Sequence, residues 1–337
     1  MNTISSMMFF LANKGMGRAL RHRDYAIYAA AGWLSNIGLW VQRIAVGWLT
    51  WTFTESFLWL GVVVFAEGLA TTVIIPIAGT YVDRVDRLFL GRLTQMGLIL
   101  IATVLATLTF LGLINIWILL VLMVLSGIAE GFWTPVRLSI PPNLVPRKDL
   151  SSALGINASL FNLAQFVGPA IAGVFIAVFD TSETQFGFAF AFNSVTFLAY
   201  LLVLFKIRFR EGAAEERRGE RAVTFFEDFM AGLRYVRRTN GLPLVLMLMM
   251  STSLFMRPFR EMFPGISDEI FQRGAEGLAV LTGATGIGAV FGALLIANLG
   301  KVEGLVRLVL GFFVFNVIIQ LVFAFSPTFI VAVATVA

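Results

Sequence analysis

Cysteine is absent from this chain and histidine occurs once, as His22. No disulfide, thiolate nucleophile or cysteine-held metal is therefore available. One histidine in a basic stretch supports neither a histidine base nor a histidine metal site. Charge is also scarce: 13% of the 337 residues are Asp, Glu, Lys or Arg, against about 25% in soluble domains. So few charges cannot cover a water-facing surface of this size. No Gly-x-x-x-x-Gly-Lys-[Ser/Thr] loop occurs, which argues against ATP-driven work. No loop holds a nucleophile constellation, so the expectation is a non-enzyme with no cofactor and no bound metal.

What the chain has instead is apolar length. It is 58% hydrophobic, with a mean hydropathy of +0.86. Runs of about 20 apolar residues recur, the length a helix needs to cross a bilayer. They do not alternate polar and apolar, as barrel strands do. Ten segments stand out, at 25–52, 57–81, 88–113, 117–139, 150–179, 188–205, 242–263, 277–298, 306–325 and 328–337. The expected fold class is an all-α polytopic membrane protein. The short apolar run beginning at Met7 reads as a tail rather than a signal peptide.

The basic residues orient these segments. With residues near a segment end counted with the connection they adjoin, four belong before segment one, three to the two–three connection, three to the four–five, nine to the six–seven and two to the eight–nine. The opposite connections hold only Arg273, beside Asp180, Glu183, Asp268, Glu269 and Glu276. That asymmetry places the N-terminus in the cytoplasm. The pI near 9.9 is thus a topology signal rather than a nucleic-acid signal.

Residues 206–241 interrupt the apolar pattern with nine basic and six acidic residues. Phe225, Phe229, Leu233 and Val236 share one helical face there, which predicts a helix lying on the membrane surface. The layout is a basic tail (1–23), a six-helix bundle (24–205), a basic cytoplasmic linker (206–241) and a partial second bundle (242–337). The last apolar run ends without a polar residue. A helix ending in mid-bilayer leaves carbonyls unsatisfied, so the second half is expected to be truncated.

Between segments two and three stands Gly79-x-x-x-Asp83-Arg84-x-Asp86-Arg87, with four charges in five residues. This turn resembles the signature loop of the major facilitator superfamily, G-x-x-x-D-R-x-G-R-R/K. It departs in two places: Asp86 replaces glycine and Leu88 replaces the final basic residue. Segment five carries Gly168-Pro169-Ala-Ile-Ala-Gly173, similar to the G-P-x-x-G-G element of antiporters in that superfamily. Gly131-Phe-Trp-Thr-Pro-Val-Arg137 and Arg257-Pro-Phe-Arg-Glu-Met-Phe-Pro264 resemble its enterobactin-exporter and transmembrane secretion effector subfamily. The resemblance implies two six-helix halves, alternating access and residence in the bacterial inner membrane. It also implies that Gly79, Asp83, Arg84, Asp86 and Arg87 form a cytoplasmic gating loop. From the residues alone, the same loop could be simple positive-inside anchoring.

Charges within the apolar segments are the best functional candidates, because an ion at mid-bilayer costs about 2.5–3.5 kcal/mol on insertion scales. They are Arg43, Glu67, Glu130 and Arg257, with Arg260 and Glu261 nearer the outer end. Arg43 and Glu67 fall at similar depth on adjacent segments and are expected to interact. Asn36, Gln42, Asn157, Asn162, Gln165 and Trp40 are further candidates for a cavity wall, or for helix-to-helix contacts. Trp48, Trp51 and Trp59 fit an outer aromatic belt. Gly168, Pro169 and Gly173 are expected to permit a kink or a close helix approach. The leading expectation is a monomeric, proton-coupled exporter of small hydrophobic or siderophore-like molecules. A facilitator or importer on the same fold, and a membrane receptor or enzyme, are the alternatives.

Overall fold

A computed structural model describes residues 16–82, 85–179, 181–210, 230, 234–239, 241–251, 257–298 and 305–337. All ten apolar segments contain helix, and no strand occurs among the described residues. We label the helices α1 (Arg23–Thr54), α2 (Phe57–Val82), α3 (Arg87–Phe110), α4 (Ile116–Ser139), α5 (Arg147–Val178), α6 (Ser182–Lys206), α7 (Leu242–Ser251), α8 (Gly274–Asn298), α9 (Leu305–Ala324) and α10 (Phe329–Val336). Among the described residues, five helical stretches are long and apolar enough to cross a membrane: Phe57–Gly79, Arg87–Phe110, Ile116–Leu144, Arg147–Ile176 and Glu183–Lys206. Most of the surface helix expected over 225–238 lies outside the described residues, as do Asp83 and Arg84.

The chain divides into two compact units, one of residues 1–46 and 63–221, the other of 47–62 and 222–337. In the first, α3 packs along both α6 and α4. The helix ends are set by local chemistry. Asp86 caps α3, its Oδ1 accepting from the Phe89 amide at 2.7 Å. Asn115 caps α4 by accepting from the Trp117 and Ile118 amides, each at 3.0 Å. Gly112 supplies the left-handed turn between these helices, with φ 65°, a conformation that costs glycine nothing.

Close helix approaches depend on glycine. A Cβ on Gly168 of α5 would run into Trp40 of α1 and lie 3.2 Å from the Ile37 carbonyl. A Cβ on Gly127 of α4 would strike the Glu67 carbonyl of α2. Thr71 reinforces that crossing, its Oγ1 donating to the Gly127 carbonyl at 3.0 Å. Small residues let apolar helices approach where no hydrophobic force separates helix from lipid.

The exposed face of α6 confirms the apolar surroundings. Val195, Leu198, Leu202 and Phe205 recur at helical spacing and are all exposed, while Asn193, Phe197, Tyr200 and Leu204 on the other side are buried. A soluble helix would carry polar residues on such an exposed face.

The core of the first unit collects at the end bearing the basic residues. Tyr25, Tyr28, Trp133, Phe197, Tyr200 and Leu204 belong to it. Leu88 belongs to it as well, at 8% exposure. The two departures from the superfamily loop thus have local reasons: Asp86 is a helix cap and Leu88 is a core residue. The short helix Met16–Arg21 docks on α5, the Ala19 amide donating to Ser152 Oγ at 3.2 Å. Beside it, Asp149 accepts a contact from His22 Nε2 at 3.1 Å and lies 3.7 Å from Arg18. The chain after α6 returns to this end, where the Arg210 amide donates to the Asn143 carbonyl at 3.0 Å.

In the second unit, Trp51 is buried rather than placed in an interfacial belt. Its indole donates to Asp268 at 2.8 Å, and its ring lies 5.1 Å from that of Phe57. Gly265 closes against both rings. Phe259, Phe263 and Phe323 form an aromatic cluster, with the Phe259 and Phe323 centroids 4.7 Å apart.

Candidate substrate site

The first unit contains a cavity of about 350 Å³ lined by α1, α4, α5 and α6. Polar wall residues are Ser35, Asn36, Arg137, Asn157 and Asn162. Aromatic wall residues are Tyr28, Trp33, Trp133, Phe161 and Tyr200. That mixture, a mostly apolar wall with a few fixed polar groups, is the usual make-up of a small-molecule site.

Helical spacing builds the wall. Tyr28, Ala29, Gly32, Trp33 and Asn36 fall on one face of α1, and Leu154, Asn157, Ala158 and Phe161 on one face of α5. Aromatic contacts stiffen it. Tyr200 lies 5.6 Å from Tyr28 and 5.4 Å edge-on from Trp133. Tyr28 donates to the Arg137 carbonyl at 3.3 Å, and Tyr200 is hydrogen-bonded to Tyr28. Tyr25, just outside the wall, donates to the Ala153 carbonyl at 2.7 Å and reaches Asn157 Oδ1 at 3.1 Å. The Tyr25 and Tyr28 hydroxyls and the Ala153 and Arg137 carbonyls are thus engaged with protein.

The donors are less engaged. Arg137 is half-buried, and among the described residues its guanidinium forms no hydrogen bond or ion pair. The Trp33 indole N–H is buried with no acceptor among the described residues. The Trp40 indole is in the same condition.

The other candidate residues are distributed as follows. Asn36 lines the cavity, with Asn157 and Asn162. Trp40 lies one turn beyond Asn36 and meets Phe161 edge-on at 6.1 Å. Arg43 is exposed and sits over the Trp40 ring at 5.0 Å. Glu130 is half-buried, two turns before Arg137 on α4, and feels the positive charges of both Arg137 and Arg43. Glu67 stands where α2 crosses α4. Gln42 is buried and accepts from Asn193 Nδ2 at 2.7 Å, a contact between α1 and α6. Gln165 is buried in α5. Gly168, Pro169 and Gly173 all lie within α5, the first two buried. Arg260 is exposed and Glu261 half-buried in the helical turn Arg257–Glu261 of the second unit. Nothing is described for the Arg257 side chain.

In the 79–87 loop, a Cβ on Gly79 would meet nothing within 4 Å among the described residues. The loop is otherwise tied locally: Val85 donates to the Tyr81 carbonyl at 3.0 Å, and Arg87 opens α3.

Sequence comparison supplies the identity of this architecture. Residues 18–337 match the transmembrane secretion effector family. The chain belongs to that family of major facilitator transporters. It is 25% identical over 286 residues to the staphyloferrin A transporter of Staphylococcus aureus, covering 83% of this chain and 68% of that protein. It is 21% identical over 235 residues to macrolide efflux protein A of Streptococcus pyogenes, covering 69% of this chain and 56% of the relative. It is 27% identical over 270 residues to the multidrug efflux pump Tap of Mycolicibacterium fortuitum, covering 77% and 63%. The chain thus spans little more than half to two thirds of these relatives' length.

Proposed function

We propose that this member of the secretion effector family is a proton-coupled exporter. It moves small hydrophobic or siderophore-like molecules across the bacterial cytoplasmic membrane by alternating access, as a monomer with its N-terminus in the cytoplasm. The observation that carries the reading is the cavity at the basic end of the first unit, with Arg137 on its wall and Glu130 deeper on the same helix. Two of the relatives are efflux proteins by name, and a third transports a siderophore.

In this reading Glu130 carries the proton, because a mid-membrane acid is expensive without a role. The substrate enters from the basic end, which faces the cytoplasm. Arg43 and Glu67 form a gate pair beyond the cavity, Arg257 belongs to the transport path, and Arg260 and Glu261 contribute the outer gate. The 79–87 loop latches the cytoplasmic face in one conformational state.

The test is solute efflux from vesicles carrying the full-length protein under an imposed pH gradient. Gradient-driven efflux that Glu130→Gln uncouples supports the reading. Flux that ignores the gradient supports the facilitator alternative, and inward gradient-driven flux the importer. Absence of cysteine makes the topology directly testable. A single cysteine placed at Lys148 should be labelled only from the cytoplasmic side, and one at Glu183 only from outside.

A further inference from the structure

The cavity's inventory of donors and acceptors specifies what it holds. Among the described residues its wall carries one charged side chain, Arg137, and no carboxylate. Arg137 has no ion-pair partner among the described residues, and Glu130 on the same helix is seven residues away. At 1.5 Å per residue that is about 10 Å along α4. Two oxygens near Arg137 are already used. The Arg137 carbonyl takes the Tyr28 proton, and Tyr28 in turn is bonded to Tyr200.

Asn157 lies on the same wall, its Oδ1 3.1 Å from the Tyr25 hydroxyl, and its NH₂ has no hydrogen bond among the described residues. Trp33 contributes an indole N–H with no acceptor. A wall whose one charged group is a cation, with spare N–H groups beside it, offers donors to an acceptor-rich guest. The remaining wall is ring surface from Trp33, Trp133, Phe161 and Tyr200, which suits a planar apolar body. Guanidinium and carboxylate match geometrically through paired N–H···O bonds.

We propose that the cavity selects amphiphilic organic anions, with a carboxylate-type head at Arg137 and Asn157 and an aromatic or planar apolar body along Trp33 and Phe161. The proposal rests on the reading of this cavity as the transport site. It goes beyond that reading in excluding neutral and cationic molecules of the same shape as preferred substrates.

Three probes with one ring system and different charge separate the possibilities: 2-naphthoate, 2-naphthamide and 2-naphthylmethylammonium. Their binding to the full-length protein in lipid nanodiscs is measured by isothermal titration calorimetry. The expected result is that naphthoate binds about tenfold more tightly than the amide, the scale of one charge-assisted contact, and that the ammonium binds weakest. Arg137→Gln should erase the difference between naphthoate and amide, and Arg137→Lys should restore part of it. Trp33→Phe should keep the order of the three. Equal binding of the three, a preference for the cation, no binding of naphthoate, or a preference that survives Arg137→Gln overturns the proposal. The transport reading fails separately. Anion preference in a protein that moves no solute in vesicles leaves the site assignment standing and removes the exporter, whereas gradient-driven flux without anion preference does the opposite.

Discussion

Gln42 and Arg137 make opposite use of polarity in one helical bundle. Gln42 is buried on α1 and fully engaged, its carbonyl oxygen accepting from Asn193 across to α6. Arg137 lines a cavity, and its guanidinium has no hydrogen bond or ion pair among the described residues. A buried amide that lost its partner would carry a desolvation penalty of about 1–3 kcal/mol, so the Gln42 contact belongs to stability. A cation left facing a cavity without a partner adds little to stability, and its use must come from a guest. Polar residues inside a membrane bundle therefore divide by satisfaction rather than by type.

The sharpest way to break this contrast starts with packing. Gly168→Leu puts a branched side chain where Trp40 and the Ile37 carbonyl already sit. Overpacking costs about 1–3 kcal/mol and more where backbone is struck. We expect this variant to show the largest loss of monodisperse protein in size-exclusion chromatography. Gln42→Ala comes next. It leaves Asn193 without its acceptor at 2.7 Å, and thermal unfolding in detergent should register a loss of about 1–3 kcal/mol. Asp86→Ala removes the α3 cap on the Phe89 amide. Caps are worth about 1 kcal/mol, so a smaller fall in the same melting experiment is expected. Arg137→Gln should have the least effect on melting, within about 0.5 kcal/mol, the usual range for a side chain away from structural contacts. If it melts as early as Gln42→Ala, Arg137 is structural and the contrast is wrong.

A parallel contrast lies at the same end of the first unit. Asp149 gathers His22 and Arg18, joining the Met16–Arg21 helix to α5. Asp149→Asn should release that helix, read as faster tryptic cleavage after Arg18 and Arg21 with the melting of α3 to α6 retained. Unchanged cleavage would show that Ala19 and Ser152 hold the helix without the charges.

Helix placement was legible in the sequence because apolar length is a local property. All ten apolar segments contain helix, and the family resemblance stood on residues that can be read in order. The site was less legible. Asn36 could be placed on the inward face of α1 by its spacing from neighbouring polar residues, but nothing in the sequence separates it from Gln42 six residues on. Which of them faces space and which faces Asn193 depends on α6, distant in sequence. Arg137 counts with the cytoplasmic charges because it lies near the end of the apolar segment 117–139, and that position alone does not show that it faces a cavity; in the structure α4 runs to Ser139 with Arg137 on the cavity wall. The available clue was its seven-residue spacing from Glu130, two turns on one face. Tyr28 and Tyr200 gave no separate signal, since aromatic residues in a hydrophobic run look alike whether they face lipid or a cavity. Trp51 is the converse case: it looks interfacial by position, and is buried by its bond to Asp268, 217 residues later.

Two of the chain's seven tryptophans, Trp33 and Trp133, stand on the cavity wall. The molecule therefore carries its own optical probe. A guest that accepts from the Trp33 N–H alters the polarity felt by that indole, so occupancy can be followed as a shift in intrinsic emission. Replacing the other five tryptophans by phenylalanine would isolate a signal that belongs to the cavity alone, without attaching any dye to a chain that has no thiol to carry one.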